Sequence, residues 1–187
     1  MKLHTRRLTL RELEDPDFQA VHEYASDPEV SKFMNWGPNG ESETRQFLQL
    51  AKSYRFSDPR LHFEFAIVLD ETQALIGSSG IHITNQSYRQ AYIGYAFNRL
   101  FWGRGYGTEA ANALLDFGFR DLKLHRIYAH ADPNNTASRR VLENIKMRLE
   151  GQLRENSIIR GNWRDDCVYS ILEQEYRPAS QKQLQYS

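Results

Sequence analysis

Three consecutive strand-like segments, joined by very short connections, constrain the fold of this chain most strongly. They are HFEFAIVLD (62–70), ALIGSSGIHIT (74–84) and RQAYIGYAFN (89–98), separated by the turn sequences DETQ and NQS. Because connections this short cannot carry the chain back across a sheet, neighbouring strands must run antiparallel. The sequence therefore predicts a three-stranded antiparallel meander in the middle of the chain.

Helical and strand patterns on either side of the meander complete the order β-αα-βββ-α-β-α-ββ. Before it come a strand over RRLTLREL (6–13), a helix over DPDFQAVHEYASDPEVSKFM (15–34) and a helix over ESETRQFLQLAKSYRF (41–56), with Ser42 as its candidate cap. After it come a helix (108–122), a strand (126–132), a short helix (133–145) and a hairpin with its turn at RGN (160–162). Because strands and helices do not alternate regularly, the order predicts an α+β fold with a mixed central sheet flanked by helices.

Composition narrows the class of protein. The chain has 187 residues, and its 24 lysines and arginines balance its 24 aspartates and glutamates, which argues against a nucleic-acid-binding protein. We expect residues 1–176 to form one domain, followed by a polar, flexible tail over 177–187. Cys167 is the only cysteine, so no disulfide forms within the chain. With no leader-like start and no long apolar run, we expect a cytoplasmic monomer or homodimer that does not bind membranes.

Three glycines precede the helix that follows the meander, in the segment WGRGYGTEA (102–110). Glycine permits positive φ and lets a ligand approach the backbone. The first amides of a helix lack internal partners and carry partial positive charge. Together with Arg104, these features predict a phosphate site. The segment lacks the lysine of a Walker loop and the glycine spacing of a dinucleotide loop, and a turn that binds nothing is the alternative.

Two stretches of the chain resemble the acetyl-coenzyme A-binding core of the GNAT superfamily of N-acetyltransferases. They are YIGYAFNRLFWGRGYGTEA (92–110) and RIYAHADPNNTASRRVLENI (126–145). The opening TRRLTLREL, the segments DPEV and NWGP, and the closing hairpin are similar to the ribosomal-protein N-terminal acetyltransferase branch (RimJ/RimL-like). The resemblance implies a GNAT-like acyl-CoA N-acyltransferase fold, in which the strand before the glycine segment splays away from its neighbour.

The resemblance also implies which residues contact the coenzyme. The end of the splayed strand would pair with the pantetheine arm at Ala96, Phe97 and Asn98. The pyrophosphate would rest on the amides of Arg104, Gly105, Tyr106, Gly107 and Thr108. Asn135 matches a family asparagine at the cofactor arm, and Ser138 matches a serine that some members place near the thiolate. Arg139 is a further candidate phosphate ligand, with an ordinary helix surface position as its alternative.

The chain departs from the family pattern at positions that matter for proton transfer. Many members have a tyrosine that protonates the leaving thiolate seven residues after the asparagine, where this chain has Leu142. Many also carry a carboxylate just before the IGY sequence, where this chain has Tyr92. The acid role would then pass to Ser138 or to water.

Candidates for the remaining chemistry come from the residues themselves. Glu64 in HFEFAIV and His82 in GIHIT can each act as general base. The alternatives are a solvent-facing carboxylate and a structural histidine. Ser138 is the candidate acid, or it caps its helix or faces solvent. Trp36 in NWGP and Tyr92 are candidates for the acceptor pocket, with packing as the alternative for both.

The hairpin adds two carboxylates and a thiol. Asp165 and Asp166 in WRDDC can attract a cationic amine, or they belong to a solvated hairpin. Cys167 alternates with its neighbours in a strand and is expected to pack rather than react.

These features lead to one expected function. We expect an N-acetyltransferase that binds acetyl-CoA and passes its acetyl group directly to a primary amine, without a metal ion. The amine is a protein N-terminus or a small molecule. The alternatives are a catalytically weak acyl-CoA-binding module or sensor and, from the glycine segment alone, another kind of nucleotide-binding protein.

Overall fold

A mixed eight-stranded β-sheet forms the centre of the structure, a computed structural model that describes residues 1–178. The strands are β1 (Lys2–His4), β2 (Leu8–Glu12), β3 (His62–Leu69), β4 (Ala74–Asn85), β5 (Gln90–Phe97), β6 (Arg126–Ala131), β7 (Arg148–Ile159) and β8 (Asn162–Leu172). The helices are α1 (Phe18–Ala25), α2 (Pro28–Ser31), α3 (Glu41–Ser53), α4 (Tyr106–Arg120) and α5 (Thr136–Asn144). None of these helices is long and apolar enough to cross a membrane. The predicted tail, 177–187, lies outside the described residues apart from its first two.

The sheet has the order β1-β2-β3-β4-β5-β6-β8-β7, and its one parallel pair among the described strands is β5 with β6. These two strands run parallel, whereas the other neighbouring pairs of the described sheet are antiparallel. Their pairing covers only Gln90–Tyr92 opposite Arg126–Tyr128. Beyond that point β5 continues to Phe97 beside β4, and β6 continues to Ala131 beside β8. The predicted mixed sheet with a splayed strand pair is therefore confirmed.

Helices cover both faces of the sheet. The α4 side chains at helical spacing, among them Ala110, Leu114 and Phe117, are buried with the β4 and β6 residues Ile81 and Ile127. On the other face, α1 and α3 bury a smaller cluster against the sheet, composed of Val21, Tyr24, Ala25, Leu48, Ala51, Ala66 and Ala96 with their neighbours. Both clusters hold β5 in place, so the gap beside it is bordered by packed structure.

Most predicted elements are confirmed, and the errors have local causes. The long first helix is broken, because Pro28 forces Asp27 into extended backbone and Asp27 then caps α2. Ser42 lies inside α3, whose N-cap is Gly40. Strand β1 is missing from the prediction because three residues are too few to show a period.

The turn between β1 and β2 is tied to the first turn of α4. The carboxylate of Glu109 accepts hydrogen bonds from the Thr5 hydroxyl at 2.7 Å and from the Arg7 backbone amide at 2.8 Å. It also forms an ion pair with the Arg7 guanidinium at 2.7 Å. Burial opposes ionisation of Glu109, but these hydrogen bonds outweigh it and lower the pKa of the carboxyl. The N-terminal end of α4 is thereby fixed relative to the sheet.

We expect Glu109→Gln to lower the free energy of unfolding by about 2 kcal/mol at pH 7, since it removes a charged acceptor from a partly screened site. Because the folded pKa is depressed, this stabilisation is present above the unfolded pKa of about 4.3 and is lost as the pH falls through the folded value. Urea unfolding at several pH values measures it. The difference from wild type should shrink in acid, and a difference that does not depend on pH would contradict the assignment.

Glu41→Gln is the matched control. Glu41 pairs with Arg45 at 3.2 Å, but both side chains are more than half exposed. Its loss should change the free energy of unfolding by less than about 0.5 kcal/mol.

Candidate active site

A cavity of about 980 Å³ opens where β5 and β6 separate. Its walls come from β5 between Ile93 and Ala96, from β6 between Tyr128 and Ala131, from α5, and from the α1 and α3 layer with the loop that contains Trp36. Beyond Tyr92, the β6-facing edge of β5 has no strand partner. An extended polar molecule can therefore pair with this edge as an added strand would.

The glycine segment lies at the start of α4. Gly105 has φ 79° and precedes the first helical residue, Tyr106, so a side chain with a Cβ would be strained there. No side chain caps this end, which leaves the first amides of α4 to bind an anion. Gly107 lies against α5, since a Cβ at this position would be 3.2 Å from Val141. The uncapped start of α4 thus packs against α5, which lines the cavity.

Two features of the cavity wall suit an extended polar ligand. A Cβ added at Gly94 would meet no atom within 4 Å, so this position of β5 leaves open space. The hydroxyl of Ser79, which is 2% exposed and lines the cavity, has no hydrogen-bond partner among the described residues. A ligand with amide or hydroxyl groups can satisfy such a buried oxygen. The residues present therefore fit the arm of an acyl-CoA.

The three predicted strand-end residues differ in their roles. Ala96 lines the cavity. The carbonyl of Phe97 accepts a hydrogen bond from the Trp102 indole at 2.9 Å. The buried Asn98 side chain accepts the Leu100 amide at 3.0 Å and starts the turn that leads to the glycine segment. Phe97 and Asn98 therefore shape the approach to the glycines.

Helix α5 begins with the two polar residues that the sequence singled out. The Asn135 side chain accepts the Ser138 amide at 3.1 Å and caps the helix, and both residues line the cavity. The Ser138 hydroxyl lies 3.2 Å from the Tyr95 hydroxyl, which comes from β5. Burial raises the pKa of Tyr95 to about 12, so its proton is retained at neutral pH. Leu142, buried on the same helix, also lines the cavity and offers no acidic proton.

Arg139, the other candidate on α5, forms hydrogen bonds with protein groups on β8 and before α5. Its guanidinium donates to the Tyr169 hydroxyl at 3.1 Å and to the Pro133 carbonyl at 3.2 Å. These contacts give it a role in fixing α5 to β8. The assignment of Arg139 as a phosphate ligand stays a prediction.

The two predicted bases meet on the other side of the gap. Sheet register places Glu64 opposite Gly80, and the Glu64 carboxylate lies 3.1 Å from Nε2 of His82. A Cβ at Gly80 would lie 2.7 Å from His82 Nε2 and 2.9 Å from the Glu64 carboxyl carbon, so only glycine allows this approach. Nδ1 of His82 lies 3.0 Å from Nδ1 of His62, which is closer to the surface. Glu64 and His82 line the cavity, and His62 connects them to the outside.

A row of aromatic rings crosses the sheet beside these bases. Ring-centroid distances are 5.2 Å from His62 to His82, 4.6 Å from His82 to Tyr92, 6.1 Å from Tyr92 to Tyr128 and 5.6 Å from Tyr128 to His130. We call these five residues the aromatic row. Tyr92 is 38% exposed, and burial together with the charge of Glu64 raises its pKa. Tyr92 thus faces the cavity rather than the core.

The match to known proteins decides the family. Residues 7–148 match the model described as "Acetyltransferase (GNAT) domain". The chain belongs to the GNAT acetyltransferase family. Its relatives include an uncharacterized N-acetyltransferase, p20, from Bacillus licheniformis, 37% identical over 175 residues that cover 93% of this chain and 97% of the relative. The Escherichia coli [ribosomal protein uS5]-alanine N-acetyltransferase is 25% identical and covers 95% of this chain and 94% of its own.

Solved structures agree with this GNAT assignment. The GNAT-family acetyltransferase from Bacillus anthracis superimposes with a TM-score of 0.83 at 36% identity, covering 94% of this chain and all of that chain. RimJ from Mycobacterium smegmatis, solved with CoA-disulfide, gives 0.80 at 26% identity, covering 94% and 87%. The predicted GNAT fold and the assignment as an acetyltransferase enzyme are confirmed.

Several residues of the site could not be predicted from local sequence patterns. His62 lies on β3 and Tyr128 and His130 lie on β6, and sheet register brings them into one row through His82 and Tyr92. Tyr95 of β5 is the partner of Ser138. The alternation of HFEFAIV carried a signal for His62, because residues 62 and 64 must share one face of a strand.

Gly94→Val tests the cavity wall. Valine suits a strand, and its side chain would enter the open space at Gly94, so we expect an unchanged melting temperature but at least a tenfold lower kcat/KM of acetyl transfer. Gly151→Val in β7 is the control, because a Cβ there also meets nothing within 4 Å and Gly151 does not line the cavity. Equal turnover by both variants would contradict the placement of the site.

Proposed function

We propose that this chain transfers the acetyl group of acetyl-coenzyme A directly to a primary amine bound in the same cavity. The observation that carries the proposal is the arrangement around the β5–β6 gap. The uncapped start of α4 and the free edge of β5 lie on the donor side. The Glu64–His82 pair lies on the other. Holding both reactants in one cavity removes much of the entropic barrier to their reaction.

The donor side suits the coenzyme in two parts. The amides from Gly105 to Thr108 at the start of α4, with the exposed Arg104 beside them, would hold the pyrophosphate. The unpaired edge of β5 beyond Tyr92 would hold the pantetheine arm through backbone hydrogen bonds. Acetyl-CoA supplies an activated acetyl group when bound. An amide of this edge can also stabilise charge on the thioester oxygen, which contributes about 3 kcal/mol in comparable sites.

The acceptor must lose a proton to become nucleophilic. Glu64 and His82 reach the cavity and can accept this proton directly or through one water. His62, in contact with His82, offers a route from the pair towards the surface. Such a base contributes a factor of roughly 10² to 10⁴ to the rate.

The leaving thiolate must gain a proton. Leu142 cannot supply one, and the Ser138–Tyr95 pair brings two hydroxyls to that side of the cavity. We assign the donor role to Ser138 and a positioning role to Tyr95, which holds the Ser138 hydroxyl by hydrogen bonding.

Two classes of acceptor fit this chemistry. A protein N-terminus is supported by the relative described as a [ribosomal protein uS5]-alanine N-acetyltransferase, and a small-molecule amine is supported by the cavity of about 980 Å³. Both are primary amines.

Acetyl-CoA should raise the melting temperature, because a ligand that binds only the native state stabilises it by about 2.7 kcal/mol at a hundredfold excess over Kd. Thermal unfolding with and without acetyl-CoA measures this rise. The same measurement with desulfo-CoA tests whether the stabilisation requires the thioester. No shift at saturating coenzyme would remove the donor assignment. A shift without thiol release on any peptide or small amine would favour the acyl-CoA-binding module.

Ser138→Ala should lower kcat by about 10² while changing the Kd for acetyl-CoA less than threefold. Tyr95→Phe should lower kcat about tenfold, and the double variant should be no slower than Ser138→Ala, since Tyr95 acts through Ser138. Tyr88→Phe, at a tyrosine that is 71% exposed, is the control. Additive losses in the double variant would separate the two hydroxyls, and unchanged kcat in Ser138→Ala would remove it from the mechanism.

A further inference from the structure

The acidic side chains of the cavity lining are not balanced by basic ones. It contains four carboxylates, on Glu43, Glu64, Asp132 and Asp166, and no lysine or arginine among the described residues. Because a cavity focuses the field of its walls, such a lining attracts cations and repels anions. A substrate with a carboxylate near its amine would meet repulsion here.

The four carboxylates are not equally available. Asp132 accepts hydrogen bonds from Asn134 and lies 3.6 Å from the Arg164 guanidinium, so its charge is compensated. Glu64 is engaged with His82 next to the reacting groups. Asp166 has no lysine or arginine within 4 Å in the described chain, and its neighbours are the Asn156 amide at 2.9 Å and His130 Nδ1 at 3.9 Å. Glu43 is exposed in the first turn of α3, on the opposite wall. Asp166 is therefore the carboxylate on the β6–β8 side of the cavity that lacks a lysine or arginine partner.

The aromatic row connects the two ends of this space. Within this row, His82 contacts Glu64, and His130 at its end lies beside Asp166. The faces of Tyr92 and Tyr128 lie between the ends, and aromatic faces attract cations and pack against alkyl chains. A chain with apolar carbon atoms in the middle and a positive charge at each end matches this surface.

The gap and Asp166 belong to one cavity. Asp166 lies on β8 next to Cys167, which pairs with Ala131 at the end of β6, and it lines the same cavity of about 980 Å³ as the β5 residues at the gap, which suits a short chain. The opposite wall is fastened by Arg160, whose guanidinium donates to the carbonyls of Ser31 at 2.8 Å and Gly37 at 2.6 Å. This contact holds the β7–β8 hairpin, with its cavity residues Ser157 and Ile159, against the loop that contains Trp36. Because the hairpin is held there, the cavity has a wall on this side as well, which favours a small molecule over a polypeptide segment.

We propose that the acceptor is a small linear diamine, whose reacting amine lies at the β5–β6 gap and whose second ammonium group is held by Asp166. This proposal rests on the proposed function. Acetyl-transfer chemistry alone fits a protein N-terminus and a small-molecule amine equally well, whereas the carboxylates and aromatic rings of the cavity favour the small molecule.

Three amines of matched length test the proposal on the purified full-length protein with saturating acetyl-CoA. They are 1,5-diaminopentane, pentylamine and 5-aminopentanoate, and a peptide with a free N-terminal alanine is the fourth substrate. Thiol release should give a kcat/KM at least tenfold higher for the diamine than for pentylamine, and lowest for the amino acid. Equal rates, a faster amino acid, or a peptide that exceeds the diamine would each overturn the proposal.

Asp166→Asn adds a test of the residue. It should move the ratio of diamine to pentylamine kcat/KM towards one. Asp165→Asn is the matched control, because hydrogen bonds from the Glu155 amide and from Gln152 lower the pKa of Asp165 and keep it charged, yet it does not line the cavity. An unchanged ratio in Asp166→Asn, or an equal change in both variants, would overturn the assignment of Asp166.

The results distinguish the diamine proposal from the proposal that the chain transfers acetyl groups to primary amines. Thiol release with no preference for the diamine would overturn only the acceptor class and would leave acetyl transfer intact. No thiol release with any of the four substrates would overturn both.

Discussion

The limited pairing of β5 with β6 is the constraint on which the rest of the site depends. The two parallel strands exchange hydrogen bonds only as far as Tyr92 and Tyr128. An unpaired strand edge inside a protein is costly unless something satisfies it. Here the edge faces a cavity, so the fold keeps a row of backbone donors and acceptors ready for a ligand. The same separation creates the space in which two reactants can meet.

Packing maintains the separation from both sides. Helix α4 fills one face of the sheet, and its start is fastened to the β1–β2 turn through Glu109. Helices α1 and α3 fill the other face against Ala66 and Ala96. Because interiors are close-packed, these layers fix β5 relative to β6 and leave the gap as a defined feature. Helix α5, against which Gly107 of the glycine segment packs, lines the cavity from one side, and the β3–β4 bases line it from the other.

The sequence predicted what depends on local patterns and missed what depends on register. Alternation and turn residues are local signals, and they located the meander, α4 and the last hairpin. The gap between β5 and β6 has no local signal, and it was expected only through the resemblance to the GNAT superfamily. Glu64 and His82 were each candidates, but their contact over Gly80 follows from the pairing of two strands. Asp166 and Asp165 are adjacent in sequence and lie on opposite faces of β8, a distinction that only the pleat of the strand reveals.

The central claim is that the β5–β6 gap and the start of α4 bind the coenzyme together. A crystal structure of the protein with CoA tests it most directly. We expect the pyrophosphate within hydrogen-bond distance of the amides from Gly105 to Thr108, and the pantetheine arm paired with β5 beyond Tyr92. Coenzyme bound elsewhere on the surface, or β5 and β6 paired along their full lengths beside it, would contradict the account.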